Sequence, residues 1–123
     1  MIKVAIIDDN VELLEELKEC LSLFDYEIHT FTDGFSTIEK LEKIRPDVLL
    51  LDLKLKDENG LDVAREARRH DKLAALPIIA ITGCYTEEEL DDITGNQVID
   101  MLLTKPLNID EVVRKINYMA KKQ

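Results

Sequence analysis

The sequence has only two cysteines, Cys20 and Cys84, and neither stands at metal-ligand spacing from another thiol or histidine. That excludes a thiolate metal centre, and it leaves two reduced thiols of a cytosolic protein as the reading. Only two histidines occur, His29 and His70, and neither lies in a motif suited to nucleophilic or metal work. No apolar run approaches the length of a membrane span. The apolar start, Met1 to Ile7, is cut by Asp8-Asp9 too early for a signal peptide, so a cytoplasmic location is expected. Basic residues are the minority, 16 against 26 acidic, which gives a net charge of −10. Phosphate backbones and anionic membranes both call for Lys/Arg patches, so direct docking on nucleic acid or lipid is not expected. Internal repeats, linkers and low-complexity segments are absent as well.

What is present is one domain, residues 1–123. The 46% hydrophobic content supplies a core, and the 34% charged content is mixed in sign, as on solvated helix faces. Ile2 to Ile7 predicts a first strand. Val11, Leu14, Leu17, Leu21 and Phe24 recur at helical spacing over 11–24. Tyr26 to Phe31 is a less apolar strand, expected near a sheet edge. Residues 35–44 form a second helix with Phe35, Ile38, Leu41 and Ile44 inward, ended at Arg45-Pro46. Val48 to Leu51 is a strand apolar enough to be buried on both faces. A helix over about 61–71 turns Leu61, Ala64 and Ala67 inward. Ile78 to Ile81 is a fourth strand. A short helix starts at a Thr86 capping box, carries Leu90 and Ile93, and breaks at Thr94-Gly95-Asn96. Met101 to Leu103 is a fifth strand. The last helix, about 108–121, is capped by Asn108 or Asp110 and buries Ile109, Val112, Val113, Ile116 and Ala120. Alternating strands and helices, with near-continuous apolar strands, predict an α/β fold: a doubly wound five-stranded parallel sheet of flavodoxin type, order 2-1-3-4-5.

In such a sheet the carboxyl ends of the strands share one edge, where ligands bind. Those ends carry Asp8-Asp9, Asp52, Thr82 and Lys105. Asp8-Asp9 in isolation reads as a helix cap, and Asp52 alone as a loop residue. Together they place three carboxylates at the switch point, which calls for a cation. Oxygen-only ligands favour Mg²⁺. Lys105 adds a compact positive charge and Thr82 a hydroxyl donor. That set fits phosphoryl transfer to Asp52 as nucleophile.

Four segments, Ile6-Ile7-Asp8-Asp9, Asp47 to Asp52 with Gly60 eight residues on, Ile78 to Thr82, and Leu103-Thr104-Lys105-Pro106, resemble the receiver domain of bacterial two-component response regulators, the CheY-like family. The resemblance spans essentially the whole chain. It implies that Asp52 accepts phosphate from a histidine kinase or histidine phosphotransfer protein. It implies Mg²⁺ on Asp8, Asp9, Asp52 and the backbone carbonyl of Lys54, a cis Lys105-Pro106 bond, and Thr82 turning toward the phosphoryl group that Lys105 pairs with. An output partner or effector domain follows, with dimerisation on phosphorylation among the responses such domains allow. Both a complete single-domain regulator and the N-terminal receiver of a longer protein fit.

Three positions depart from the family pattern. Lys56 stands where proline is usual, so a looser loop is expected. Leu102 replaces the aromatic that swings inward on activation. The fourth helix is short. The resemblance implies that Lys54 and Cys84, two residues after Asp52 and Thr82, flank the path of hydrolytic water; Lys54 is a candidate modulator of phosphoryl lifetime and Cys84 a passive thiol. Asp57 and Glu58 read as solvated loop acids. Two competing readings are an inert pseudo-receiver scaffold and a Mg²⁺-dependent phosphohydrolase. The second lacks the usual acid/base carboxylate two residues past the nucleophile, where Lys54 stands.

Overall fold

The computed structural model describes residues 1–83, 87–95 and 98–121. β1 (Ile2–Ile7), β2 (Tyr26–Phe31), β3 (Val48–Asp52), β4 (Ile78–Thr82) and β5 (Met101–Thr104) form one parallel sheet in the order β2-β1-β3-β4-β5. The crossovers are α1 (Val11–Leu21), α2 (Ile38–Ile44), α3 (Gly60–Arg68) and α4 (Glu87–Gly95), and α5 (Ile109–Lys121) follows β5. The expected class and strand order are both found. β2 lies at the edge, as its polarity suggests, and β3 lies at the centre with every residue buried.

Strand side chains alternate between two faces. Val4, Ile6, Leu50, Ile79 and Ile81 meet Leu14, Leu17 and Leu21 of α1 and Val112, Ile116 and Met119 of α5. Ala5, Ile7, Leu49, Leu51 and Ile78 meet Ile38 and Leu41 of α2 and Val63, Ala64 and Ala67 of α3. Each such Leu or Ile contributes about 1.5–3 kcal/mol by leaving water. A charge placed at Leu50 would break this layer first. Leu53, Ala80 and Ile93 form a smaller cluster beneath α4, and Leu102 packs on it half-buried.

Several inward positions differ from the periodic reading. α1 stops at Leu21, where the Ser22 hydroxyl donates to the Glu19 carbonyl at 2.6 Å. Val11 and Phe24 therefore lie at and beyond the helix ends and are exposed; Phe24 stacks on Tyr26 with ring centroids 6.0 Å apart. Phe35 opens a 3-10 turn, Phe35–Thr37, whose tighter winding takes it off the α2 stripe and into solvent. α2 ends with Arg45 in the left-handed region at φ 54°, before Pro46. α3 ends at Arg68 rather than near 71, and a 3-10 turn, Asp71–Leu73, follows. Its buried face includes Val63. On α5, Ile109, Val113 and Ala120 are half-buried, while Met119 is buried. Asn108 is the α5 cap, accepting from Glu111 N at 3.1 Å. The α4 cap at Thr86 and the break at Asn96 lie outside the described residues, whereas Ile93 is buried and α4 extends to Gly95.

Candidate functional site

The parallel register brings the strand ends together. Ile7 pairs with Leu51, and Asp52 pairs with Ile81, so Asp8 leaves β1 beside Asp52 at the end of β3. Thr82 pairs with Thr104, which puts Lys105 one residue past the sheet on the same edge. Asp8 is 0%, Asp52 4% and Thr82 1% exposed, whereas Asp9 and Lys105 are half-buried.

Capping does not account for the paired acids. Asn10 caps α1, its side chain accepting from Leu13 N at 3.2 Å, so neither Asp8 nor Asp9 is needed there. Asp8 Oδ1 accepts from Asn10 N at 2.9 Å. Asp9 Oδ2 accepts from Lys56 N at 2.6 Å, and Asp52 Oδ1 from Lys54 N at 2.9 Å. One oxygen from each of Asp8, Asp9 and Asp52 falls within 4.8 Å of the others.

Lys105 Nζ donates to Asp52 Oδ2 at 3.2 Å and lies 3.3 Å from Asp8 Oδ2. Asp8 Oδ2 is buried yet receives no aligned hydrogen bond from the described residues. Burial raises the Asp52 pKa above its ordinary value; the Lys54 N–H opposes this, the Asp8 charge adds to it, and Lys105 opposes it again. Burial pulls the Lys105 pKa down, but Asp52 and Asp8 together hold it above the usual lysine value. One ammonium thus serves two buried acids, and a third acid stands beside them. A buried oxygen that shares its ammonium with a second buried acid, in an all-oxygen cluster short of positive charge, fits a hard divalent cation, and the acidic triad could hold a metal. The Lys105-Pro106 peptide is cis, as expected.

Gly60 lets the loop after β3 fold back on the site. Its N–H donates to Leu53 O at 2.9 Å, and a Cβ there would strike the Asp52 carbonyl oxygen and stand 2.6 Å from Leu53 Cα. Lys54 is exposed at the rim, where its Nζ pairs with Glu89 at 3.4 Å. Cys84 lies outside the described residues. His29 pairs with Glu27, and His70 sits between Glu42 and Glu66, so neither joins the pocket.

The loop after β3 adds one contact to the expectation and corrects another. The segment around Lys56 is tied to the pocket by the Lys56 N–H itself, a donor that proline lacks. Glu58 is not a solvated acid: its oxygens accept from Gly34 N at 2.6 Å and Phe35 N at 3.0 Å. Its partners lie far away in sequence, so no local pattern marks it. Asp57 is exposed, as expected.

Comparison with known proteins agrees with this geometry. Residues 4–117 match the model of the response regulator receiver domain. The chain is 34% identical over 122 residues to the transcriptional regulatory protein KdpE of Staphylococcus aureus, covering 97% of this chain and 51% of that protein. It is 30% identical over 122 residues to the transcriptional regulatory protein TrcR of Mycobacterium tuberculosis, covering 98% and 46%. The chain therefore spans about half the length of these curated relatives. Among solved structures, the chemotaxis protein CheY4 of Vibrio cholerae shares the fold at a TM-score of 0.87 and 24% identity, covering 97% of this chain and 98% of that one. The receiver domain of a signal transduction histidine kinase from Syntrophus aciditrophicus does so at 0.89 and 19%, covering 99% and 92%. Among the described residues, no helix is long and apolar enough to cross a membrane. With the acidic pocket where the sheet order reverses and the family match running through nearly the whole chain, this protein belongs to the response regulator receiver domains of two-component systems, which are signalling modules rather than dedicated enzymes.

Proposed function

We propose that this chain is a single receiver domain, residues 1–123, in which Asp52 accepts a phosphoryl group from a histidine kinase or histidine phosphotransfer protein. The observation that carries the reading is the buried Asp52 carboxylate, sharing the Lys105 ammonium with Asp8. An Asp52 oxygen attacks the phosphorus of a phosphohistidine. The new P–O bond forms as the P–N bond breaks, and the leaving imidazole nitrogen keeps the electron pair and takes up a proton. Lys105 pairs with the negative charge on the transferred group, and the Thr82 hydroxyl donates to one of its oxygens. Asp8, Asp9, Asp52 and the Lys54 carbonyl are the residues that would hold Mg²⁺. When bound, that ion neutralises charge on the phosphoryl oxygens.

Phosphorylation adds charge at the end of β3, on the edge shared with the ends of β1 and β4, and so biases a two-state equilibrium that an output partner reads. The kinase partner follows from family membership. The relatives named as transcriptional regulators are about twice this chain's length, so an attached or separate effector supplies the output. With its net charge of −10, this domain does not itself dock on nucleic acid, and it acts in the cytoplasm.

Intact mass after incubation with acetyl phosphate and MgCl₂ tests the reading. Wild type gains one phosphoryl group and Asp52→Ala gains none. A gain that survives in the variant overturns the site, and no gain in wild type points to an inert scaffold.

A further inference from the structure

We propose that Glu58 is a positioning residue for the acidic pocket, acting through the backbone N–H of Lys56. The inference rests on the reading of Asp8, Asp9 and Asp52 as a cation site.

The segment between β3 and α3 carries two N–H groups that serve the pocket. Lys54 N holds Asp52 at 2.9 Å and Lys56 N holds Asp9 at 2.6 Å. The base of this loop is fixed by its own backbone: Lys54 bridges Asn59, Gly60 N bonds Leu53 O, and Asn59 caps α3. Lys56 lies nearer the tip, which needs its own anchors. Leu55 is one, buried in the core layer with Val63. Glu58 is the other, its two oxygens taking the N–H groups of Gly34 and Phe35 across the gap to the 3-10 turn before α2. Such charge-assisted bonds hold geometry better than neutral ones.

Position 34 is built for this contact. A Cβ on Gly34 would stand 2.5 Å from Val63 Cγ2 and 2.9 Å from Glu58 Oε2, so any larger residue pushes the carboxylate away. The chain of support therefore runs from Gly34 and Phe35 to Glu58, along the loop to Lys56 N, and on to Asp9. Asp8, Asp52 and Lys105 do not depend on it, because Asn10, Lys54 and one another hold them. Freeing the tip should loosen Asp9 and leave the rest of the pocket intact.

Glu58→Ala and Glu58→Gln remove the same charge, but Gln keeps one oxygen that can accept an N–H. Mg²⁺ is titrated into wild type and both variants, following the amide resonances by NMR, and Lys56 amide exchange is measured alongside. The expected result is about tenfold weaker Mg²⁺ binding in Glu58→Ala, the low end of what is lost when a partner orienting a metal ligand is removed. Lys56 exchange should accelerate in the same variant, and Glu58→Gln, which keeps one of the two acceptors, should restore part of both. Equal weakening in the two variants would reduce the effect to charge and overturn the proposal, as would unchanged binding in Glu58→Ala. If Glu58→Ala does not fold, Lys56→Pro, which removes the N–H together with the side-chain charge, is compared with Lys56→Ala, which removes the charge and keeps the N–H; Mg²⁺ should bind about tenfold more weakly to Lys56→Pro than to Lys56→Ala, and equal affinity of the two overturns the proposal. Wild type that binds no Mg²⁺ overturns the cation-site reading itself.

Discussion

Lys105 reaches the fully buried carboxylate of Asp8 at 3.3 Å, and the same ammonium lies 3.2 Å from Asp52. Removing it as Lys105→Met leaves two buried acids without a cation. Breaking a fully buried pair costs about 3–5 kcal/mol; the lysine is 30% exposed, so about 2–3 kcal/mol is expected in urea melts without metal. Mg²⁺ should bind roughly tenfold tighter, since a competing charge a few ångströms away is gone. Labelling by acetyl phosphate should nonetheless slow by about 100-fold or more. Tighter Mg²⁺ with slower labelling is the signature to look for.

The site of Asp52 disfavours its ionised form. Burial first, and then the Asp8 charge, raise its pKa above 3.8, so folding disfavours the charged form. The penalty is present above the folded pKa and is relieved as pH falls toward 3.8. Asp52→Asn should therefore raise Tm in EDTA at neutral pH, by roughly 3–6 °C for a domain of this size. The gain should shrink as the pH is lowered. Calorimetry at two pH values checks both statements.

Arg68 closes the end of the sheet opposite the pocket. Its guanidinium donates to the carbonyls of Leu73, Ala74, Leu76 and Val98 and pairs with Asp100 at 3.0 Å. Asp100 in turn accepts from Ile78 N at 2.8 Å, at the start of β4. Arg68→Ala should cost about 2–4 kcal/mol in urea unfolding. Arg68→Lys should recover little, because one ammonium cannot reproduce a planar fork.

Tyr26 opens β2, and its hydroxyl donates to Asn117 Oδ1 at 2.7 Å. Burial is the larger influence and raises its pKa above 10.0, against the lowering effect of Asn117. The neutral phenol is thus favoured by folding: its contribution is complete below pH 10.0 and is lost as pH rises through the folded pKa. Wild type should lose stability in this alkaline window. Tyr26→Phe should lack that component and be weaker by about 1 kcal/mol at neutral pH.

The central strands were legible because they are buried on both faces. Ile2 to Ile7, Val48 to Leu51 and Ile78 to Ile81 have nearly no polar interruption, and each ends on a residue that water or a ligand must satisfy. Helix faces were legible in their middles and misleading at their ends. Leu14, Leu17 and Leu21 are buried, whereas Val11 and Phe24 lie where the helix no longer faces the sheet. Glu58 and Arg68 left no local trace. Their partners are mainly backbone groups of other segments, and backbone groups carry no sequence signal.

Asp52 at the end of a buried strand, its companions Asp8, Asp9, Thr82 and Lys105, and the 2-1-3-4-5 sheet are determined by the amino-acid order. Apolar periodicity and strand-end position fix which elements form and which edge those residues share. Tertiary structure alone decided how the pocket is held. It set the Lys56 N–H on Asp9 and seated Glu58 against Gly34. Those contacts join segments brought together only when the chain closes on itself, through donors that every residue but proline carries.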